Sequence, residues 1–434
     1  MLKRYFTLML LVVFAVTLNA KKNDIEKMLK KIDKVSSFEK IEKTDTLRTY
    51  YSLKFTQQLD KDNPEAGTFE QRLLLGHRGW DRPMVIITQG YGGGGTFTGN
   101  RFYEELTSLI DANVIFVEHR YFDESTPTPC NWDYLTIPNS MEDYHSITTT
   151  FKEFYKDKWL STGISKGGST SMFYRAYYPD DVDVSVPYVA PLCVALEDGR
   201  HESFLEQAGT KAQRDAVRNF QLLLLERKEV YMPLFEDYCK QKKYTFRQPI
   251  SVIYDYCVLE YAFSFWQWGS PADKIPTMAA GDEAIFKYFI SSCDPDYFSR
   301  GNKLDSFSVQ AVKDFGYYGY NIEPFKKYIK EPLKDYYKKI MLSEEWYDVE
   351  FDGSTHRKVV DYLTENDPKM IYIYGEFDPW TANGVTWLRD RNKKNIRIFI
   401  EPNGSHRARI GTMPKETQKE ILDLLQEWTN YRKQ

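Results

Sequence analysis

Trp159-Leu160-Ser161-Thr162-Gly163-Ile164-Ser165-Lys166-Gly167-Gly168 decides the fold. A short apolar run enters a G-x-S-x-G turn with Ser165 at its centre. That spacing suits a strand turning sharply into a helix, with the serine in strained backbone geometry at the turn. Gly163 and Gly167 remove side chains that would collide there. The turn lifts the hydroxyl clear of the sheet. It also sets the N–H of Lys166 where an oxyanion would form. Beyond it, Met172, Phe173, Ala176 and Tyr177 recur at helical spacing. Glycine-rich turns produce such five-residue patterns by chance too, so the flanking sequence has to decide.

Upstream, Met84-Val85-Ile86-Ile87-Thr88 is a continuous apolar run, as in a strand buried on both faces. It ends in Gly90-Tyr91-Gly92-Gly93-Gly94-Gly95, followed by a helix from about 101 to 111. Asn113 to Glu118 is a second buried strand, and an amphipathic helix follows from about Met141 to Lys156. Asp183 to Val189 comes after the elbow helix. Alternating strands and helices with glycine turns at strand ends predict a doubly wound α/β sheet. Thr49–Gln57 and Thr68–His77 alternate apolar and polar residues and read as an antiparallel edge pair. The stretch Ile25–Ile32 reads as a peripheral helix outside the core.

The pattern stops near residue 198. From 200 to 355 the sequence is helical and irregular, including Pro324 to Lys339. It resumes at Met370–Tyr374 and Ile396–Ile400, and a final helix runs from Lys415 to Tyr431. One α/β domain interrupted by a helical cap accounts for this. The expected parts are residues 48–199 and 356–434 for the α/β domain, and 200–355 for the cap.

The first twenty residues have the pattern of a secretory signal. Lys3 and Arg4 precede the apolar run Tyr5–Val16, and Leu18-Asn19-Ala20 ends in a small residue. That run is shorter than the ~20 residues a spanning helix needs. The chain is therefore expected to be secreted or periplasmic, with no membrane attachment after signal removal. Net charge is −4, with no basic stripe or tail, so nucleic acid is not an expected partner. The five cysteines form no C-x-x-C, and no H-E-x-x-H occurs, which disfavours a metal. No cofactor is expected. Cys239, Cys257 and Cys293 lie close enough in sequence to suggest a local bridge in an exported protein.

A serine nucleophile needs a base, and the base needs an orienting carboxylate. In an elbow-bearing fold the chain order is Ser, acid, His, with the last two on loops after late strands. Asp378 follows the Met370–Tyr374 strand and His406 follows Ile396–Ile400. Alone, Asp378 reads as a turn residue and His406 as an exposed loop histidine. Together, in order and each at a strand end, they read as a triad with Ser165. The glycine run then offers Tyr91 or Gly92 N–H as second oxyanion donor beside Lys166. A phosphate loop would need a following Lys-Ser/Thr, which is missing. This is the signature of an α/β-hydrolase fold with a large helical cap.

Glu118-His119-Arg120-Tyr121, the Ser165 elbow, Asp378-Pro379-Trp380 and Gly404-Ser405-His406 occur in one order. Together they resemble the exported serine exopeptidases of the prolylcarboxypeptidase and dipeptidyl-peptidase II type. The Ser-Lys-Gly-Gly elbow is similar to that of their relatives, the bacterial PS-10 (S37) tripeptidyl aminopeptidases. The resemblance covers about residues 48–434. It implies a capped peptidase acting near a peptide terminus, often beside proline, with Ser165, Asp378 and His406 as triad. The prolylcarboxypeptidase branch has an aromatic residue where Lys166 stands, which leaves the proline preference and the terminus attacked open.

Short peptides are the expected substrates. If an N-terminus is read, a carboxylate must meet its amine, and Glu118, Asp255 and Glu260 are the candidates. Glu118 can alternatively pair with Arg120 to hold loops together. Trp266 and Trp268 either wall a substrate pocket or pack the cap. An esterase or lipase would use the same machinery on an ester, and an inactive hydrolase fold would serve as a binding module.

Overall fold

The computed structural model describes residues 24–431, so the expected signal at 1–20 lies outside the described residues. The strands are β1 (Val35–Ile41), β2 (Thr49–Gln58), β3 (Thr68–His77), β4 (Met84–Thr88), β5 (Asn113–Val117), β6 (Trp159–Ile164), β7 (Val184–Tyr188), β8 (Met370–Gly375) and β9 (Ile396–Glu401). They form one sheet in the order β1-β2-β3-β5-β4-β6-β7-β8-β9. β1, β2 and β3 pair antiparallel, and β3 runs antiparallel to β5. From β5 through β4 to β9 every pairing is parallel.

β4, β5 and β7 are buried at every position, which explains their unbroken apolar character. One face is covered by Ile147 and Phe151 of the helix Ile137–Lys152 and by Met172 and Phe173 of the elbow helix Lys166–Tyr177. The other is covered by Leu106, Ile110, Ile421, Leu425 and Trp428. Each such side chain contributes about 1.5–3 kcal/mol by leaving water. β4 lies between β5 and β6, so the winding reverses at β4. A crevice opens at the C-terminal ends of β4 and β6, where such sheets bind ligands. This is an α/β-hydrolase fold.

The N-terminal segment departs from expectation. Ile25, Met28, Leu29 and Ile32 are buried and pack with Tyr51, Leu53 and Phe55 of β2. The stretch read as peripheral is part of the core, because its apolar stripe matches the apolar face of β2. β1 then adds an edge strand, so the sheet begins at Val35, ahead of residue 48.

Between β7 and β8 the described residues contribute helices and no strand of the sheet, among them Lys211–Glu226, Lys228–Lys242 and Ile250–Trp268. In the stretch expected to be helical at 324–339, the only α-helical residues are the start of Tyr336–Met341. Pro332 removes a donor just before it, and Asp335 caps the helix with positive φ. No disulfide forms. Cys130 is exposed, while Cys193, Cys239, Cys257 and Cys293 are free thiols in the interior.

Arg120 is 1% exposed and spends all five N–H donors. Its Nε and Nη2 reach Asp143 Oδ2 and Oδ1 at 2.7 and 2.8 Å, and the others meet the carbonyls of Gln58, Leu59 and Tyr134. The expected partner Glu118 is not involved. Asp143→Ala should strand the guanidinium and cost about 3–5 kcal/mol. Urea denaturation followed by tryptophan fluorescence would read the loss; a cost under 1 kcal/mol would show that the pair does not hold these loops.

Candidate active site

Ser165 follows β6 directly with φ 58 and ψ −125, a backbone conformation that costs a non-glycine residue about 1–3 kcal/mol. Its N–H donates to Tyr188 O of β7 at 2.9 Å. A Cβ on Gly163 would sit 2.2 Å from Gly167 O, so the turn closes only without a side chain there. Lys166 opens the elbow helix, where an N–H has no carbonyl a turn earlier to bond. The loop after β4 packs on this point: a Cβ on Gly90 would meet Gly167 N at 2.7 Å. Within that loop Gly93 N–H donates to Glu118 Oε1 and Gly94 N–H to Asp123 Oδ2. The N–H groups of Tyr91 and Gly92 find no acceptor among the described residues, as oxyanion donors must.

Asp378 and His406 come together. His406 Nδ1 lies 2.7 Å from Asp378 Oδ2, with the carboxylate fully buried. The other oxygen of Asp378 accepts Trp380 N–H at 3.2 Å, capping the turn Pro379–Asn383. Both residues sit just past the C-terminal ends of β8 and β9, on the same sheet edge as Ser165. The helical layer completes the histidine's surroundings. Gln267 O accepts His406 N–H at 2.9 Å, and the Trp268 ring meets the imidazole edge-to-face at 6.0 Å. Gly269 ends that helix with φ 67, and a Cβ there would touch Ser405 at 3.0 Å.

The proposed binding residues separate. Trp268 is half exposed beside His406. Trp266 is buried against Gly209 and Phe377 of the acid loop, and it lines a cavity of about 250 Å³ together with Glu206, Arg214 and Tyr320. Glu118 is fully buried and saturated. It accepts from Arg72 at 2.6 Å, Gly93 N–H at 2.8 Å, and Ser125 N–H and Oγ at 3.0 and 2.8 Å. It braces the glycine loop and has no lone pair left for a substrate amine, which corrects both readings of it. Asp255 pairs with Lys228 at 2.6 Å and lies thirteen residues before Trp268, about 20 Å away along the helix. It is too remote to read a substrate. Glu260 is buried and accepts from Ser264, Tyr318 and Tyr320 hydroxyls at 2.6, 2.7 and 2.7 Å. Tyr318 in turn meets Trp380 of the acid loop edge-to-face at 5.3 Å.

Sequence reasoning missed what surrounds Lys166. Its ammonium is buried among the rings of Tyr91, Phe122 and Phe315, at 5.8, 5.5 and 5.6 Å. Burial brings it down to about 7, against the pull of Asp314. Burial pushes Asp314 up to about 7. Its Oδ2 accepts Ile137 N–H at 2.6 Å, while its Oδ1 has no partner among the described residues. Asp314 lies 148 positions downstream of Lys166, so no local pattern announces the pair.

The arrangement is that of a serine hydrolase. The chain belongs to the PS-10 peptidase S37 family, whose model matches residues 18–430. It is 28% identical to the prolyl tri/tetrapeptidyl aminopeptidase of Streptomyces mobaraensis, over 87% of this chain and 80% of that one. It is 26% identical to the lysosomal Pro-X carboxypeptidase of Mus musculus, over 33% of each chain. Among solved structures, a proline iminopeptidase from Mycobacterium smegmatis aligns with 87% of this chain and 97% of its own, at 12% identity and TM-score 0.41, too loosely to carry an argument.

Lys166 carries a testable pH signature. Its ordinary value is 10.5 and its folded value about 7. Between the two the unfolded chain holds a proton that the native state sheds, so stability rises with pH across that window. The burial cost is fully present below about 7. Lys166→Met should melt above wild type at pH 7, with the advantage narrowing toward pH 10. Thermal denaturation at fixed ionic strength checks this; an advantage that widens with pH would contradict it.

Proposed function

We propose that Ser165 is the nucleophile, His406 its base and Asp378 the acid that orients the imidazole. The protein then releases short peptides, two or three residues at a time, from the N-termini of peptide substrates by way of an acyl-enzyme. The observation that carries this is the 2.7 Å His406–Asp378 contact on the sheet edge where Ser165 stands in strained geometry. Family membership favours peptides over esters as substrates. The Streptomyces relative, by its name, acts on prolyl tri- and tetrapeptidyl substrates, which supports the aminopeptidase direction and makes cleavage after proline the first specificity to test. The leader-like residues 1–20 support a secreted or periplasmic site of action.

Of the three candidate carboxylates, Glu118 and Asp255 already face cations. Glu260 has three hydroxyl donors and no ion pair among the described residues. Burial pushes its carboxyl up, opposed by those hydroxyl bonds. We assign it the substrate's N-terminal amine, the cation its surroundings lack.

Ser165→Ala should fold normally and lose roughly 10⁴-fold or more in kcat, and His406→Ala added to it should cost little further, because triad members act as a unit. Hydrolysis near the wild-type rate by the folded single variant would refute the assignment. A digest of a peptide library read by mass spectrometry then gives the product lengths. N-acetylated peptides should be cut at least tenfold less efficiently in kcat/KM, the loss of a charged hydrogen bond. Equal cleavage of free and blocked peptides would overturn the N-terminal reading and leave the triad standing.

A further inference from the structure

The two sides of Ser165 are built differently. On one, the helical layer roofs the sheet edge: Gln267, Trp268 and Gly269 lie on the Ser405–His406 loop, and Phe263 meets Trp380 at 5.2 Å. On the other, a cleft of about 280 Å³ opens beside the elbow. Its wall includes Thr162, Gly163 and Ile164, the three residues before the nucleophile, and Gln89 from the loop behind it. Every lining residue lies between 87 and 164, so no part of the helical insertion covers it.

Ile164 is 44% exposed although the rest of β6 is buried. A central strand meets solvent only at its end, so this exposure lies on the sheet edge that carries Ser165. Across the cleft Tyr103 is 78% exposed and Arg101 also lines it. The cleft also adjoins the histidine loop. Glu104 lines it, and the next residue, Glu105, accepts the N–H groups of Ile410 and Gly411 at 3.0 and 2.7 Å. Arg409 of that loop lies over Tyr188, the residue paired with Ile164 across β6 and β7.

An enzyme that removes a short N-terminal piece has to hold that piece in closed space and give the longer remainder an open one. We infer that this cleft takes the departing part of the substrate, an extended peptide with an apolar or aromatic residue directly after the cut. The inference rests on the serine-peptidase reading and adds the direction of the chain. In the acylation step the Ser165 Oγ–carbon bond forms and the carbon–nitrogen bond breaks. The proton leaves Oγ for His406 Nε2 and passes to the departing nitrogen. The new amine therefore starts beside Ser165, whose preceding residue Ile164 lines the cleft. Tyr103 and Ile164 then offer apolar surface to its first side chains.

The test compares two substrates with the same tripeptidyl acyl part. One is its aminocoumarin amide. The other continues for four residues, the first of them phenylalanine. Tyr103→Ala should lower the ratio of kcat/KM for the extended peptide over the amide by about five- to tenfold, mostly through KM. Tyr103→Phe, which keeps the ring, should hold the wild-type ratio. An unchanged or raised ratio in Tyr103→Ala would overturn the assignment. Failure of wild type to cleave either substrate would instead overturn the peptidase reading beneath it.

Discussion

Gly163 and Gly167 approach so closely that a single added methyl would stand 2.2 Å from a carbonyl oxygen. This contact lets the chain reverse from β6 into its helix within one residue and leaves Ser165 with positive φ. Removing that clearance would flatten the turn and turn the hydroxyl back toward the sheet. The Lys166 N–H would leave the sheet edge with it. The cost of the strained serine is borne by the buried strands around it. Val85, Leu160 and Val186 are wholly out of water on three neighbouring strands. A turn of this kind needs such a frame, because a loop free to relax would lose the geometry.

Charges in the interior hold the loops that meet at this turn. Glu118 ties the glycine run to Arg72 of β3 and so holds the loop that carries Tyr91 and Gly92. Arg120 ties the chain after β5 to the helix Ile137–Lys152 and to the end of β2. Both pairs keep their hydrogen bonds nearly complete, which is what makes a buried charge tolerable. Lys166 and Asp314 differ. They make no direct ion pair, one among aromatic rings and the other with an unbonded oxygen, and both are drawn toward neutrality near pH 7. Lys166, beside Ser165, is thus held by packing more than by a salt bridge.

The helical insertion makes an edge shared by many hydrolases into an asymmetric one. Its longest helix, Ile250–Trp268, ends against the histidine loop, where Gly269 supplies both the left-handed backbone and the clearance for Ser405. The roof covers the acid and histidine side and leaves the side at Ile164 open.

Much of this was legible in the residues alone. The strands β4, β5 and β8 announce themselves as short apolar runs, since a strand buried on both faces has no reason to alternate, while β9 is an edge strand and is only partly buried. Ser165 follows its strand directly and Asp378 and His406 come a few residues past theirs, so strand-end position was readable without coordinates. Partners far apart in the chain were not. Glu118 finds Arg72 and not the adjacent Arg120, Trp268 faces the histidine while Trp266 packs inward, and Ile25–Ile32 joins the core through β2. Local spacing encodes backbone turns and periodicity, because those depend on residues a few positions apart. Which charge meets which, and which side of a helix faces a site, depends on how the packed layers are rotated against one another. Only the tertiary structure decides that.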